Sequence, residues 1–338
     1  MRTYFRHIVS FAGGFLFLVF ALEGFLILSE IKLPFKTLDE KTGKTYQSSI
    51  PIHEAKEGFY MGETNAYGFV GNVSKKKPKN VFRIALLGDS FTEGFQLFAP
   101  FHFSKILEQS LNKHSKDSIE VLNFGMSNVV LPEMYIRKKT LADQFDIDLF
   151  VYVLDSYDFI YQPEGVLSSV ELRDHNGKLT ITTSNSKGYQ VYKKIKPLVD
   201  QSSYINFLFD GYLMVRRQQA FPIIFDKFYP KSTASAYQAI PTSEVFNHIS
   251  DQYFKIVSEM EKDNTVFVFR EEADAILKSK LKPYRIPVIE TKQALDEVRA
   301  RGINPYYWGL NQTIGHFNYE GNATFGKYLA KELAPYLN

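Results

Sequence analysis

The amino-acid sequence predicts an α/β protein, a three-layer α/β/α sandwich around a mostly parallel sheet, preceded by an N-terminal transmembrane helix. Three observations carry this expectation. Five short runs rich in apolar and β-branched residues recur along the chain: VFRIALL (81–87), IEVLNF (119–124), DLFVYVL (148–154), TVFVF (265–269) and IPVI (286–289). Between them lie segments whose apolar residues repeat at helical spacing, and the alternation of strand and helix favours right-handed crossovers and a parallel sheet covered on both faces. Finally, residues 8–29, IVSFAGGFLFLVFALEGFLILS, carry Glu23 as their only charge, and a stretch of this length can cross a ~30 Å hydrocarbon layer as a helix.

Taken in order, the N-terminus opens with Arg2, Arg6 and His7 ahead of the apolar stretch. Positive residues on that side keep the N-terminus in the cytoplasm. The expectation is a single-pass anchor over residues 1–30 in the cytoplasmic membrane, with the main domain on the extracytoplasmic side. A signal peptide cut after Val19-Phe20-Ala21 and a buried core helix are the competing readings; the length of the stretch disfavours the first and its lack of a polar face the second. Glu23 is costly inside hydrocarbon, so it is expected to face a partner or to sit near the boundary.

Residues 31–80 mix charges with Gly, Pro and Ser and show no sustained period, which reads as an extended tether. Within it, GFYMGETNAYGFVGN is aromatic enough to pack on the domain. The domain itself is expected over 81–338. Helical faces are marked by Phe103, Ile106, Leu107 and Leu111, by Leu131, Met134, Tyr135, Leu141, Ala142 and Phe145, and by Phe325, Leu329 and Leu333. Residues of about 160–245 interrupt the alternation and read as an insert beside the active rim, either a lid or a plain packing element. Inside it, VELRDHNGKLTIT (170–182) is a hairpin pattern around Asn176-Gly177, and a helical stretch follows near SSYINFLFDGYLMVRRQQ (202–219).

Composition excludes several chemistries. A formal net charge of +3 over 338 residues gives no global electrostatic case for nucleic acid as a partner. With 0 cysteines there is no disulfide, no thiolate metal site and no cysteine nucleophile. The pairs His102 and His114, and His175 and His248, lack ligand-like spacing with carboxylates, and no G-x-x-x-x-G-K phosphate loop occurs, so neither metal nor cofactor is expected.

If 82–87 form a central strand, Gly88-Asp89-Ser90 is its carboxyl end, where ligands of parallel sheets bind. A serine there becomes chemical only if a base and an oxyanion site converge on it. At these residues the chain resembles the SGNH, or GDSL, hydrolases. Gly88-Asp89-Ser90 with Gly94 is similar to that family's first block. VLNFGMSN (121–128) resembles the second, and HFNYEGN (316–322) the fifth. The resemblance spans 82–336. It implies Ser90 as nucleophile, His316 as general base, and the N–H groups of Ser90 and Gly125 as oxyanion donors, with Asn123 framing Gly125.

Two departures stand out. The family places an aspartate two or three residues before the histidine, and those positions hold Ile314 and Thr313. The third-block asparagine is missing as well, since LDSYDF (154–159) offers Asp155, Ser156, Tyr157 and Asp158. Tyr157 is a candidate hydrogen-bond donor from that rim, and Asp155 and Asp158 are candidates for the absent acid. Asp89 reads as structural and Glu93 as facing solvent. The resemblance implies a serine esterase removing acyl groups, acetyl above all, from envelope or secreted carbohydrate. The alternatives are an acyltransferase using the same site, and a binding or assembly protein that keeps the fold without the chemistry.

Overall fold

The computed structural model describes residues 2–29, 35–55, 57–71, 73–113, 115–160, 167–216 and 243–337. Its centre is a five-stranded sheet in the order β11 (Val288–Glu290), β10 (Thr265–Phe269), β7 (Leu149–Leu154), β5 (Val81–Gly88), β6 (Ser118–Asn123). Every neighbouring pair is parallel. Because successive side chains of a strand point to opposite faces, β5 divides its core residues: Ile84 and Leu86 go to one side, Ala85 and Leu87 to the other.

The first face is covered by α3 (Phe103–Asn112), through Phe103, Leu107 and Leu111, and by the C-terminal helix. The second face receives α4 (Leu131–Thr140) and the helix Asp251–Met260, through Met134, Tyr135, Tyr253, Ile256 and Val257. The outcome is the predicted three-layer sandwich with a parallel sheet. One helical expectation ran too far: α4 ends at Thr140, and residues 142–145 form a separate 3-10 turn. The buried side chains Leu141, Ala142 and Phe145 satisfy the apolar pattern without continuing the helix.

The segment expected as an extended tether is folded. Strands β1 (Lys36–Asp39) and β2 (Gly43–Tyr46) form one antiparallel hairpin, and β3 (Pro51–Glu54) and β4 (Tyr60–Glu63) form a second. Tyr46, Ile52 and Tyr60 drop from them into the core on the second face, joined by Phe69 from the segment after β4, which meets Phe124 at 4.7 Å and Phe145 at 5.2 Å between ring centroids. Aromatic burial of this kind is worth far more than the weak pairing of four-residue strands. Such short strands leave no sustained period to read.

The N-terminal helix α1 (Arg2–Ser29) is long and apolar enough over Thr3–Ser29 to cross a membrane. Within the expected insert, β8 (Val170–His175) and β9 (Lys178–Thr183) form the hairpin read from the sequence, with positive φ at Asn176 (52°) and Gly177 (81°) as a tight primed turn requires. Helices α5 (Lys187–Gln201) and α6 (Ser203–Arg216) follow. Positions 161–166 and 217–242 of that insert, like His114, lie outside the described residues.

Candidate active site

Strand β5 ends at Gly88, and the chain turns at once into the short helix Ser90–Glu93. Asp89 caps it, its side chain accepting from the Phe91 N–H at 2.9 Å, as aspartate does at helix starts. This turn holds the Ser90 hydroxyl at the carboxyl edge of the sheet. From the far end of the chain, the loop before the C-terminal helix (Tyr319–Leu333) brings His316 to the same edge. Nε2 of His316 lies 2.7 Å from Oγ of Ser90.

The loop is held from several sides. The Trp308 indole N–H donates to the His316 carbonyl at 2.9 Å, and the Asn318 amide donates to the carbonyls of Asn304 (2.9 Å) and Tyr307 (2.8 Å). The Phe91 ring packs on the imidazole at 4.6 Å between centroids.

The acid absent from the local sequence of His316 comes from the turn between β3 and β4. Both carboxylate oxygens of Glu57 lie 2.9 Å from Nδ1 of His316, and one of them also accepts the His316 backbone N–H at 3.0 Å. Glu57 is 7% exposed, so this contact is little screened by water. The approach depends on glycine: a Cβ on Gly315 would stand 2.3 Å from the Glu57 carboxylate. Sequence reasoning missed Glu57 because it lies in the supposed tether; the signal available was Gly315 itself, a residue without a side chain directly before the histidine.

Asp155 and Asp158, the sequence candidates for that acid, serve another cluster. Asp155 caps a 3-10 turn by accepting from the Tyr157 N–H at 3.0 Å, and Asp158 accepts from the Asp155 N–H at 2.8 Å. The partly buried Arg270 lies 3.2 Å from Asp89 and 3.6 Å from Asp155. Burial works against its charge, but the carboxylates of Asp89 and Asp155 more than offset this and raise its pKa above the ordinary value. Burial, with the nearby negative charge of Asp89, pushes the Asp158 carboxyl well above the usual carboxylate range. Tyr157 packs toward Phe246 at 6.2 Å between ring centroids.

Gly125 is pressed against the nucleophile turn, where a Cβ would stand 2.3 Å from the Glu93 nitrogen. Its N–H, however, donates to Oδ1 of Asn123 at 2.9 Å, so in this state it is turned to that side chain. Glu93 does not face solvent. It is buried, accepts from the Tyr46 hydroxyl and from the Ser127 N–H (3.0 Å), and pairs with Lys36 at 3.0 Å. Burial pushes its pKa up, and these partners outweigh it, leaving the carboxyl below its ordinary value.

His102, which lacks ligand-like spacing in the sequence, is buried between Ser104 Oγ (2.7 Å) and the Phe91 carbonyl (3.1 Å), and burial lowers its pKa to about 4. Among the described residues no group of three or more His, Asp or Glu side chains could hold a metal ion.

No protein-family profile matches this chain, and no curated protein matches it. Among solved structures, the chain is similar to a lipase/acylhydrolase from Enterococcus faecalis, at 13% identity and a TM-score of 0.41, covering 76% of this chain and 97% of that one. It is similar to a putative lipolytic protein of the G-D-S-L family from Desulfitobacterium hafniense, at 13% identity and a TM-score of 0.37, covering 74% and 98%. A catalytic mutant of an acetylxylan esterase from Geobacillus stearothermophilus gives 11% identity and a TM-score of 0.36, covering 77% and 96%.

Proposed function

We propose that this chain is a membrane-anchored, extracytoplasmic serine esterase of the SGNH type, working through Ser90, His316 and Glu57. The observation that carries the reading is the continuous relay from the Ser90 hydroxyl through the imidazole to a buried carboxylate. Glu57 holds the proton on Nδ1, which leaves Nε2 free to take the proton of Ser90 as its oxygen attacks an ester carbonyl. The imidazolium then protonates the leaving alcohol, and water releases the acyl group from Ser90 by the same steps. The Ser90 N–H, and the Gly125 N–H once it leaves Asn123, are the groups proposed to meet the oxyanion, a contribution of ~10² to 10³ in rate per donor.

An acylated carbohydrate of the envelope is the substrate class we favour. The apolar N-terminal helix would hold the domain at the membrane, and beside Glu57 a hollow of about 360 Å³ is lined by Phe59, Tyr307, Trp308 and Tyr319, rings suited to stacking on a sugar. A second reading, a binding protein on the same fold, is favoured by the engagement of the Gly125 N–H. Labelling the full chain with a fluorophosphonate probe separates the two: the esterase reading expects an adduct that Ser90→Ala abolishes, and an unlabelled wild type supports the binding protein. Adding an oligosaccharide acceptor then tells hydrolysis from acyl transfer, by whether acyl groups are diverted from water.

A further inference from the structure

Glu23, the one charge of the apolar N-terminal stretch, is not isolated. Its carboxylate accepts from the Ser202 hydroxyl at 2.7 Å, the Ser203 N–H at 2.9 Å and the Tyr204 N–H at 2.8 Å, all at the start of α6. The next two N–H groups also have acceptors, Ile205 on the Ser202 hydroxyl (3.1 Å) and Asn206 on the Ser202 carbonyl (2.9 Å). A helix start leaves four N–H groups without intrahelical partners, and water normally serves some of them. Here all four are satisfied internally, the condition for placing a helix end in hydrocarbon.

Position along α1 points the same way. Glu23 precedes Leu28 by five residues, about 7.5 Å of helix, and Phe25, Ile27 and Leu28 in that interval are exposed and apolar. The start of α6 therefore sits below the upper edge of the apolar belt. Downstream, Phe207, Leu208, Gly211, Tyr212 and Val215 recur at i, i+1, i+4, i+5 and i+8 and are all exposed. The opposite side of α6 is occupied: Ser203 and Asn206 are buried, and Phe209 packs on Tyr192 at 5.5 Å between centroids. Among the described residues, one stripe of α6 is thus apolar and exposed, on a helix whose first turn is docked on the exposed apolar helix α1.

From these contacts we infer that α6 is a second membrane element, its Phe207–Val215 stripe lying in the outer leaflet with its first turn locked onto Glu23. This rests on the reading of α1 as an uncleaved anchor. Cleavage after Ala21 would leave Glu23 at a charged new N-terminus and dismantle the dock. The arrangement also ties the bilayer to the site. Asp200, just before α6, accepts from Thr37 Oγ1 (2.8 Å) and its carbonyl from Gln47 Nε2 (3.0 Å). Those residues belong to or flank the hairpin whose Lys36 and Tyr46 hold Glu93 in the nucleophile turn. Residues 167–216 of the insert then act as a strut between membrane and active rim.

The chain has 0 cysteines, so single-cysteine variants of the full chain report their own surroundings. Phe11→Cys in α1, Phe207→Cys and Tyr212→Cys in α6, and His175→Cys at the exposed hairpin are labelled with an environment-sensitive fluorophore and reconstituted into phosphatidylcholine/phosphatidylglycerol vesicles. With nitroxide-labelled phosphatidylcholine present, positions 11, 207 and 212 are expected to be quenched about twofold or more and position 175 to be unaffected, as for side chains in the acyl region. Lipid quenching at 11 with aqueous iodide quenching at 207 and 212 overturns the inference while leaving the anchor intact. Shielding of 207 and 212 from both quenchers means that a second copy or another protein covers the stripe, which also overturns it. Absence of lipid quenching at 11 defeats the anchor and the inference together.

Discussion

Both carboxylate oxygens of Glu57 lie 2.9 Å from Nδ1 of His316, across a sequence separation of 259 residues. The contact joins a hairpin turn near the N-terminus to the loop that carries the imidazole, and it fixes which ring nitrogen keeps its proton. With Nδ1–H directed at a carboxylate, Nε2 presents a lone pair to the Ser90 hydroxyl 2.7 Å away.

Replacing that carboxylate by an amide should therefore act on turnover. For Glu57→Gln we expect kcat on p-nitrophenyl acetate to fall by ~10² to 10⁴ with little change in KM, since an amide can stabilise the wrong tautomer and cannot support the imidazolium. Glu57→Asp, one methylene shorter, should recover part of the loss. Turnover of Glu57→Gln within about twofold of wild type would remove Glu57 from the mechanism.

Gly315 tests the same contact sterically. A Cβ there would stand 2.3 Å from Glu57 Oε1, whereas a Cβ on Gly309 meets nothing within 4 Å. Gly315→Ala should displace the carboxylate and lower kcat by at least ~10-fold, and Gly309→Ala should leave it unchanged. Equal activity of the two variants would show that the loop yields without cost.

The folded N-terminal segment should matter for stability as well as chemistry. Phe69 is 1% exposed and packs on Phe124 and Phe145, so Phe69→Ala should destabilise by about 3–5 kcal/mol through lost burial and a residual cavity. Trp308, the only tryptophan and itself buried, reports unfolding by its fluorescence in urea. A midpoint unchanged from wild type would mean that this segment does not contribute to the core.

Acid stability should carry the mark of His102, whose pKa burial lowers to about 4 in the fold. The unfolded chain takes up its proton near the ordinary pKa of about 6.5, so between these values the unfolded state binds more protons. Stability from this group is full above pH ~6.5 and is lost as pH falls toward about 4, by up to ~3 kcal/mol. His102→Gln should flatten the slope of unfolding free energy against pH in that interval, and an unaltered slope would locate the acid sensitivity elsewhere.

Much of the fold could be read locally because its signals are local. TVFVF coincides with β10 residue for residue, and Asn176-Gly177 announces a turn whose two positive φ angles few other residue pairs accept. The strand end carrying Ser90 and the loop carrying His316 were legible in the same way. Glu93 was misjudged as solvent-facing because its partners, Lys36 and Tyr46, come from a hairpin with no periodic signature. Asp155 and Asp158 were plausible acids by rim position alone, yet Asp155 lies 3.6 Å from Arg270, more than 110 residues downstream, and Asp158 is turned to the Asp155 N–H.

What the linear chain determined by itself was its periodicity, its turns and the residue types at strand ends, since these depend on neighbours within a few positions. The choice of Glu57 as partner of His316, and of α6 as partner of Glu23, was decided only by the tertiary structure. Packing of buried aromatics brings segments together from far along the chain, and the identity of a charge's partner is set by which groups share the dry space that packing creates.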